Sequence, residues 1–263
     1  MANATKTRER RVALITDTAQ HIGPFLARKL AERGHDLVIS DPNVVIEGAE
    51  TSAPNLVAEL KAMGGQVEVL EIDDVNAEGR VQKLVDRAME VFGGFDSAFV
   101  RPGVHIVGNW QKTTAKELMD SAAGNTLSTQ YALQALVPPL VAQGSGQVLI
   151  EVSATGAKDF PNIAPYGATR AAAKYLINQC ALDVAKHGVT VNGMGTNFLD
   201  YPGYRNTLGV TTPEALAEAT KDIPMRRLGK PEEVAHLAAA LLDGGCNYYA
   251  AQFLNMSGGW NGN

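Results

Sequence analysis

Short apolar runs alternate with longer segments of helical period along the 263-residue chain. Runs bounded by turn residues predict seven β-strands, at 12–16, 36–40, 66–71, 97–100, 147–152, 189–193 and 252–256. Helical periodicity fills the stretches near 22–33, 51–63, 76–92, 113–142, 163–187, 213–220 and 231–242. This alternation predicts an α/β fold: a Rossmann-like, doubly wound parallel sheet of about seven strands with helices on both faces.

No composition shift or repeat interrupts this rhythm, so residues 1–263 are predicted to form a single domain. Two long, turn-rich segments, 41–55 and 195–212, are predicted loops. The second leaves the carboxyl end of a predicted strand. In a doubly wound sheet such loops line the ligand crevice, so 195–212 is expected to form a wall of the site.

Composition and charge exclude several classes of protein. The chain is 45% hydrophobic and carries 28 acidic against 23 basic residues, with no basic run beyond 8–11. Nucleic acid and anionic membranes are therefore not expected partners. The apolar stretch 12–15 is too short for a secretory signal and no run reaches about 20 apolar residues, so a cytoplasmic location is predicted. Cys180 and Cys246 are isolated, and neither a metal site nor a disulfide is expected.

The segment after the first predicted strand is where a dinucleotide-binding protein carries glycines that admit a pyrophosphate. Here it reads Thr-Asp-Thr-Ala-Gln-His-Ile-Gly over 16–23, and only Gly23 remains of the TGxxxGxG pattern. An imidazole at His21 would fill phosphate space, and the Asp17 carboxylate would repel a phosphate. The helix start still favours a small anion. Alternatively, His21 only fills space in a degenerate loop.

Two further positions concern a nicotinamide cofactor. Val-Arg-Pro-Gly at 100–103 places bulky residues at the crevice, which argues against such a cofactor. Asp41, after the second predicted strand, stands where an acidic residue holds an adenine ribose. Aspartate is also a common turn residue, so its weight is small.

Ser153, Tyr166 and Arg170 are the candidate catalytic residues. Ser153 directly follows the fifth predicted strand, at the edge of the sheet where chemistry tends to occur. Tyr166 and Arg170 are four residues apart in a predicted helix and therefore share one face. A guanidinium beside the phenol favours the phenolate, which would act as a general base. The alternative is an ordinary surface arginine covering an aromatic ring.

The segment resembles the Ser and Tyr-x-x-x-Lys active site of short-chain dehydrogenases/reductases, with Arg170 in place of the lysine. The similarity extends over nearly the whole chain, including 147–153, Asn125, 225–228, 231–234 and 255–260. Ser-x12-Tyr-x3-Arg with a blocked nucleotide loop resembles halohydrin dehalogenases. Ser-Ala-Thr-Gly at 153–156, Gly-x-Thr-Arg at 167–170 and Gly-Thr-Asn-Phe-Leu-Asp at 195–200 resemble the G-type branch. That family's loop usually reads T-x4-F/Y-x-G, and His21 departs from it.

The resemblance implies cofactor-independent dehalogenation of vicinal halohydrins to epoxides, and the reverse opening of epoxides by azide, cyanide, nitrite or halide. Ser153 would hold the substrate oxygen, Tyr166 would move the proton and Arg170 would stabilise the phenolate. The halide or nucleophile pocket is expected at His21, Thr196, Asn197, Phe198 and Leu199, although apolar residues after a strand are also ordinary loop packing. No cofactor is expected.

Two alternatives remain open: an NAD(P)-dependent short-chain oxidoreductase with a divergent loop, and a non-catalytic scaffold of the same fold. The resemblance also implies a homotetramer assembled through the helices at 113–142 and 163–187. A buried helix without a partner would explain the same apolar faces.

Overall fold

The computed structural model describes residues 8–43, 53 and 55–261. One parallel sheet organises them, with strand order β3-β2-β1-β4-β5-β6-β7. The strands are β1 Val12–Ile15, β2 Asp36–Ser40, β3 Val67–Leu70, β4 Ser97–Val100, β5 Gly146–Ser153, β6 Val189–Thr196 and β7 Phe253–Met256. The predicted α/β fold class and all seven predicted strands are confirmed.

Helices cover both faces of the sheet. In the described part of the chain they are α1 Gly23–Glu32, α2 Leu56–Ala62, α3 Arg80–Phe92, α4 Ala115–Ala122, α5 Ser128–Gln143, α6 Ala164–Val184, α7 Pro202–Leu208, α8 Pro213–Thr220 and α9 Pro231–Leu242. Strand order reverses between β1 and β4, which creates a crevice at the carboxyl ends of the strands. Ligands of doubly wound folds bind in such a crevice.

Two apolar layers hold the helices against the sheet. On one face Leu14 of β1 belongs to the same buried cluster as Leu136 of α5. On the other face Ile15, the next residue of β1, shares a cluster with Leu26 of α1. Successive strand residues point to opposite faces, so a short run that is apolar at every position packs on both sides. This explains why β1 is a continuous apolar run.

The structure corrects three boundaries. Strand β6 continues to Thr196 instead of ending at 193, because Gly193 and Gly195 leave room for the Phe253 ring of β7; a Cβ there would lie 2.8 and 2.6 Å from that ring. Strand β5 includes Ser153. The turn-rich segment 195–212 contains helix α7, which begins at Pro202.

The predicted helix 113–142 is interrupted by a π-helical turn at Ala123–Leu127. Asn125 in this turn is fully buried; its Oδ1 accepts a hydrogen bond from the Val104 amide, and its Nδ2 donates to Thr169 Oγ1. The wider turn places this amide between α6 and the segment after β4.

Part of the predicted loop 41–55 and of the predicted helix 51–63 lies outside the described residues. No described helix has the length and apolar character needed to span a membrane.

Candidate active site

One cavity of about 430 Å³ lies at the carboxyl edge of the sheet. All eight predicted site residues line it: Ser153, Tyr166, Arg170, His21, Thr196, Asn197, Phe198 and Leu199. The end of β5, the start of α6, the loop before α1 and the loop after β6 each supply part of this lining. The fold therefore brings these residues together, while their chemical roles remain predictions.

Ser153 ends β5 beside Thr196, its register partner on β6. Ser153 is 5% exposed, and its Oγ accepts a hydrogen bond of 2.9 Å from Thr155 Oγ1. A serine hydroxyl carries one proton of its own in addition to its acceptor positions. With an acceptor position already occupied, Ser153 retains that proton for donation to a ligand oxygen in the cavity.

Tyr166 lies in the first turn of α6, directly after Pro165, a residue suited to the start of a helix. The His105 ring packs edge-to-face against the phenol ring at 4.9 Å between centroids. Partial burial and the nearby Arg170 lower the pKa of His105, which favours a neutral imidazole. The phenol is thus fixed between an aromatic edge and the arginine one helical turn later.

Arg170 is buried, with 6% of its surface exposed. Its Nη1 donates a 2.8 Å hydrogen bond to the carbonyl of Pro102, and its Cζ lies 5.0 Å from the centre of the Tyr166 ring. Gly103 makes this possible, because a Cβ at that position would lie 1.9 Å from Nη2. The segment after β4 therefore holds the Arg170 cation beside the Tyr166 ring.

The loop between β1 and α1 has backbone angles typical of a glycine-rich loop, although two of its three glycine positions carry a side chain. Asp17 and His21 stand at two positions of the glycine pattern and have φ of 60° and 58°. Residues with a side chain adopt such angles at a cost of roughly 1–3 kcal/mol. At the third position Gly23 is retained, since a Cβ there would lie 2.1 Å from the Asp17 carbonyl oxygen.

Four ionisable side chains fill the floor of the site between this loop and β5. Asp17 and Arg101 form an ion pair of 3.0 Å. Glu151, 1% exposed, has its Oε2 at 3.5 Å from His21 Nδ1 and at 3.6 Å from Arg101 Nε. Its other oxygen accepts a hydrogen bond from the Thr196 hydroxyl. We call Asp17, His21, Arg101 and Glu151 the charge quartet.

Burial and the neighbouring positive charges have opposite effects on the pKa of each carboxyl in the quartet, and the balance differs between Asp17 and Glu151. Burial raises the pKa of Asp17 above its ordinary value, and the Arg101 charge offsets this only in part. Burial also acts to raise the pKa of Glu151, but His21, Arg101 and the Thr196 hydrogen bond outweigh it and lower that pKa. Glu151 is therefore a buried carboxylate that stays ionised at neutral pH.

The loop after β6 forms the opposite wall. Phe198 has a φ of 58°, and its ring lies 5.5 Å from the Trp260 ring and 6.5 Å from the Tyr204 ring. Its amide donates to Asn197 Oδ1, and its carbonyl accepts from the Gly229 amide. These contacts hold the Phe198 backbone in an unfavourable conformation beside the cavity, as strained residues at ligand sites often are.

The sequence analysis did not identify five further lining residues as site residues: Arg101, His105, Glu151, Tyr201 and Tyr204. For Glu151 a signal was present, because a lone carboxylate inside an apolar strand requires a partner when buried. The two tyrosines flank the start of α7, which the turn-rich sequence did not predict.

The loop does not fit a dinucleotide pyrophosphate. His21 is 4% exposed and occupies the space before the start of α1, where the Glu151 carboxylate faces its ring. The Asp41 carboxylate is engaged in its own turn, where it accepts hydrogen bonds from the amide and the side chain of Asn43. This supports the turn interpretation of Asp41. Among the described residues, no cluster of His, Cys, Asp and Glu is arranged to hold a metal ion.

Comparison with known proteins identifies the family. Residues 18–261 match the family model described as enoyl-(acyl carrier protein) reductase. The chain belongs to the short-chain dehydrogenase/reductase family. Within it, this short-chain dehydrogenase/reductase is 29% identical over 250 residues to the 2,5-dichloro-2,5-cyclohexadiene-1,4-diol dehydrogenase of Sphingobium indicum, covering 95% of this chain and 96% of that one.

Other relatives of this short-chain dehydrogenase/reductase are also named as dehydrogenases. The cyclohexanol dehydrogenase of Acinetobacter is 30% identical over 233 residues, covering 88% of this chain and 87% of that one. The solved structure of a 7α-hydroxysteroid dehydrogenase complexed with NADH and 7-oxo glycochenodeoxycholic acid superposes with a TM-score of 0.81 at 25% identity, covering 98% of both chains. These names support the oxidoreductase alternative better than the dehalogenase interpretation.

Proposed function

We propose that this short-chain dehydrogenase/reductase is a cofactor-independent halohydrin dehalogenase. One observation carries the proposal: the charge quartet fills the loop in which a dinucleotide pyrophosphate would bind, while Ser153, Tyr166 and Arg170 remain together around the adjoining cavity. A site that keeps its acid–base residues but lacks room for a redox cofactor suits a reaction between two groups of one substrate.

In the proposed reaction, Ser153 donates a hydrogen bond to the hydroxyl oxygen of a vicinal halohydrin. The Tyr166 phenolate, stabilised by Arg170, removes the hydroxyl proton. The resulting alkoxide attacks the neighbouring carbon, so that a C–O bond forms while the C–halogen bond breaks and the halide leaves with the bonding electrons. The epoxide carbon skeleton is neither oxidised nor reduced, and no electron acceptor is required.

The leaving halide is proposed to lie between the His21 loop and the loop after β6, bordered by Thr196, Asn197, Phe198 and Leu199. This pocket combines the start of α1, which favours negative charge, with the buried Leu199 and the aromatic Phe198. Microscopic reversibility then makes Tyr166 the acid when azide, cyanide, nitrite or halide opens an epoxide. Small monovalent anions suit this pocket better than phosphate.

The second candidate is an NAD(P)-dependent oxidoreductase with a divergent loop. The names of the relatives favour it, and the family match extends from residue 18, within the β1–α1 loop, to residue 261. It requires that the β1–α1 loop rearrange to expel the His21 ring. That ring is packed edge-to-face on Tyr201 at 4.6 Å and faces Glu151, so the rearrangement would separate a buried carboxylate from its partner.

Halide release from a panel of vicinal chloro- and bromohydrins, without added nucleotide, tests the proposal. Calorimetry with NADH and NADPH is run on the same protein. We expect halide and epoxide in equal amounts and no dinucleotide binding. Binding with a dissociation constant below about 10 μM, equivalent to roughly 7 kcal/mol, would favour the oxidoreductase. Neither halide release nor dinucleotide-dependent oxidation would favour a non-catalytic scaffold.

We also propose a homotetramer. Large apolar side chains on α4, on α6 and in the π-helical turn are exposed in the single chain, including Met119 at 71%, Tyr175 at 65% and Leu182 at 65%. Exposed apolar side chains on elements that pack against one another, as α4, α6 and the π-helical turn do, are typical of protein–protein contacts. Sedimentation as a stable monomer at micromolar concentration would contradict this assembly.

A further inference from the structure

Within the charge quartet, one nitrogen and one carboxylate oxygen face each other in a position where a proton could bind, but no hydrogen bond joins them. His21 Nδ1 and Glu151 Oε2 are both buried, and neither has a hydrogen-bond partner among the described residues. They face each other at 3.5 Å, somewhat too far for a good hydrogen bond. A neutral imidazole carries an N–H on only one nitrogen, so it can donate either to the carboxylate from Nδ1 or to a ligand from Nε2. Only the imidazolium presents an N–H on both sides.

The ionisable groups that face His21 carry charges of both signs. Glu151 on β5 and Asp17 in the same loop are negative, and Arg101 after β4 is positive. Tyr201, before α7, contacts the ring by its edge at 4.6 Å, and burial raises the pKa of its phenol, which keeps it neutral. His105 packs on Tyr166 instead.

With both carboxyls ionised, the charges of the quartet sum to one negative unit when His21 is neutral and to zero when it is protonated. Whether or not Asp17 carries a proton, protonation of His21 makes the quartet one unit more positive. The quartet borders the cavity through His21, Arg101 and Glu151. In a buried site a net negative charge repels an incoming anion strongly, because little water screens it. An anion is therefore accepted more readily by the protonated quartet.

We propose that the site binds a small monovalent anion together with one proton, which His21 takes up and which the facing Glu151 carboxylate stabilises on the imidazole. Glu151 acts as a positioning residue: its carboxylate faces Nδ1 and directs Nε2 away from β5. The Thr196 hydroxyl fixes the other carboxylate oxygen, and Thr196 itself lines the cavity. This inference rests on the proposed function, since it names how the anion pocket of that reaction is charged.

Coupled binding matches the chemistry of the proposed reaction. Dehalogenation of a halohydrin to an epoxide releases one proton and one halide, so both products must leave the site. Epoxide opening consumes one proton and one anion. A pocket that holds the anion and a proton together would keep its own charge balanced in both directions. By linkage, the proton strengthens anion binding as much as the anion strengthens proton binding.

Bromide binding measured against pH tests the coupling without relying on catalysis. Trp260, 8% exposed and packed on Phe198, serves as the fluorescent reporter, and Trp110→Phe removes the signal of the 73%-exposed Trp110. Ionic strength is held constant between about pH 6 and 9. Where the free imidazole is mostly neutral, we expect bromide affinity to weaken by up to about tenfold per pH unit as pH rises.

Two variants separate the coupling from other titrations. His21→Asn tolerates a positive φ and keeps an N–H donor but takes up no proton, so its bromide affinity should be independent of pH. Glu151→Gln removes the buried negative charge that stabilises a proton on His21, so the pH dependence should flatten, with stronger binding than the parent at high pH, where the parent quartet is most negative. His187→Asn and Glu68→Gln, at an exposed helix end and on edge strand β3, are the matched controls and should keep the parent slope.

A parent protein whose bromide affinity is unchanged across this pH range, or a His21→Asn variant with the parent slope, would overturn the proton coupling. Absence of bromide binding at every pH would overturn it as well. If halide release from halohydrins persists in those cases, the proposed function survives the failure of this inference. Conversely, proton-coupled bromide binding in a protein that releases no halide would uphold the inference and reject the proposed function.

Discussion

Replacement of Gly103 by alanine should disable the site by displacing Arg170. The new Cβ would lie 1.9 Å from Nη2, 2.5 Å from Cζ and 2.7 Å from Nη1 of Arg170. These distances are far below van der Waals contact, so the guanidinium must move away from the Gly103 backbone. It would then lose both the 2.8 Å hydrogen bond to the Pro102 carbonyl and its position over the Tyr166 ring.

The expected cost has two parts. Gly103 has a φ of +146°, a conformation that alanine adopts at about 1–3 kcal/mol. Loss of a buried hydrogen bond from a charged donor adds about 1.5–3 kcal/mol. The sum, about 2.5–6 kcal/mol, should lower Tm by roughly 5–24 °C, since each kcal/mol lowers Tm by about 2–4 °C in a chain of this size. Loss of the cation beside the general base should lower kcat by about 100-fold or more.

Thermal unfolding and halide-release kinetics check this expectation, with Gly34→Ala as the matched control. Gly34 also has a positive φ, of +83°, but no atom of the described residues lies within 4 Å of the position that a Cβ would take there. This control should lose only about 1–2 kcal/mol and should keep its kcat, because it carries backbone strain without a clash. A Gly103→Ala variant with kcat within about threefold of the parent would show that activity does not require Arg170 to be held beside Tyr166.

Three further changes test the site and the fold. Tyr166→Phe should lower kcat by about 100-fold or more without changing Tm, whereas Tyr248→Phe, at a fully exposed tyrosine, should leave kcat unchanged; a Tyr166→Phe variant with over a tenth of parental kcat would exclude Tyr166 as the base. Arg170→Lys should lower kcat and shift the pH profile, because an ammonium lacks the planar fork of the guanidinium, and gain of nicotinamide-dependent oxidation would contradict the blocked loop. The Arg227 hydrogen bond lowers the pKa of Glu233 to about 2, so Glu233→Gln should lower the free energy of unfolding by roughly 0.5–1 kcal/mol near neutral pH, and this difference should vanish as pH falls from about 4 towards 2.

The sequence predicted the sheet well because its signal is local. Each strand is a short apolar run between turn residues, and β2 and β4 have the predicted limits. Helix α7 was missed because Pro202 and Gly203 favour a turn in isolation, although proline is also suited to the first position of a helix. The π-helical turn was missed because the tertiary contacts of Asn125 decide it, and the helical period continues on either side.

The difference between local signals and tertiary contacts also explains which parts of the site the sequence predicted. Tyr166 and Arg170 were paired from the sequence because residues four apart meet on a helix face. In the structure the Arg170 Cζ lies 5.0 Å from the centre of the Tyr166 ring, as this pairing predicts. Arg101 and Asp17, in contrast, are 84 positions apart in the chain. Their pairing depends on β1 and β4 being neighbours in the sheet, so the sequence identified both as obstacles to a nucleotide but did not identify them as partners.

The departures from a dinucleotide-binding loop depend on one another. Asp17 neutralises Arg101, and Glu151 faces both Arg101 and His21, so each charge is balanced by residues from another element. Removal of the partner of a buried charge, such as that of Glu151, leaves the charge uncompensated and costs about 3–5 kcal/mol, and the cost is smaller for the partly exposed Asp17–Arg101 pair. A single return to glycine at Asp17 or His21 would therefore destabilise the site before it admitted a pyrophosphate. Restoration of a dinucleotide site would require simultaneous substitutions on β5, after β4 and in the β1–α1 loop. This explains how a loop that does not fit a pyrophosphate can be retained in a fold whose relatives are dehydrogenases.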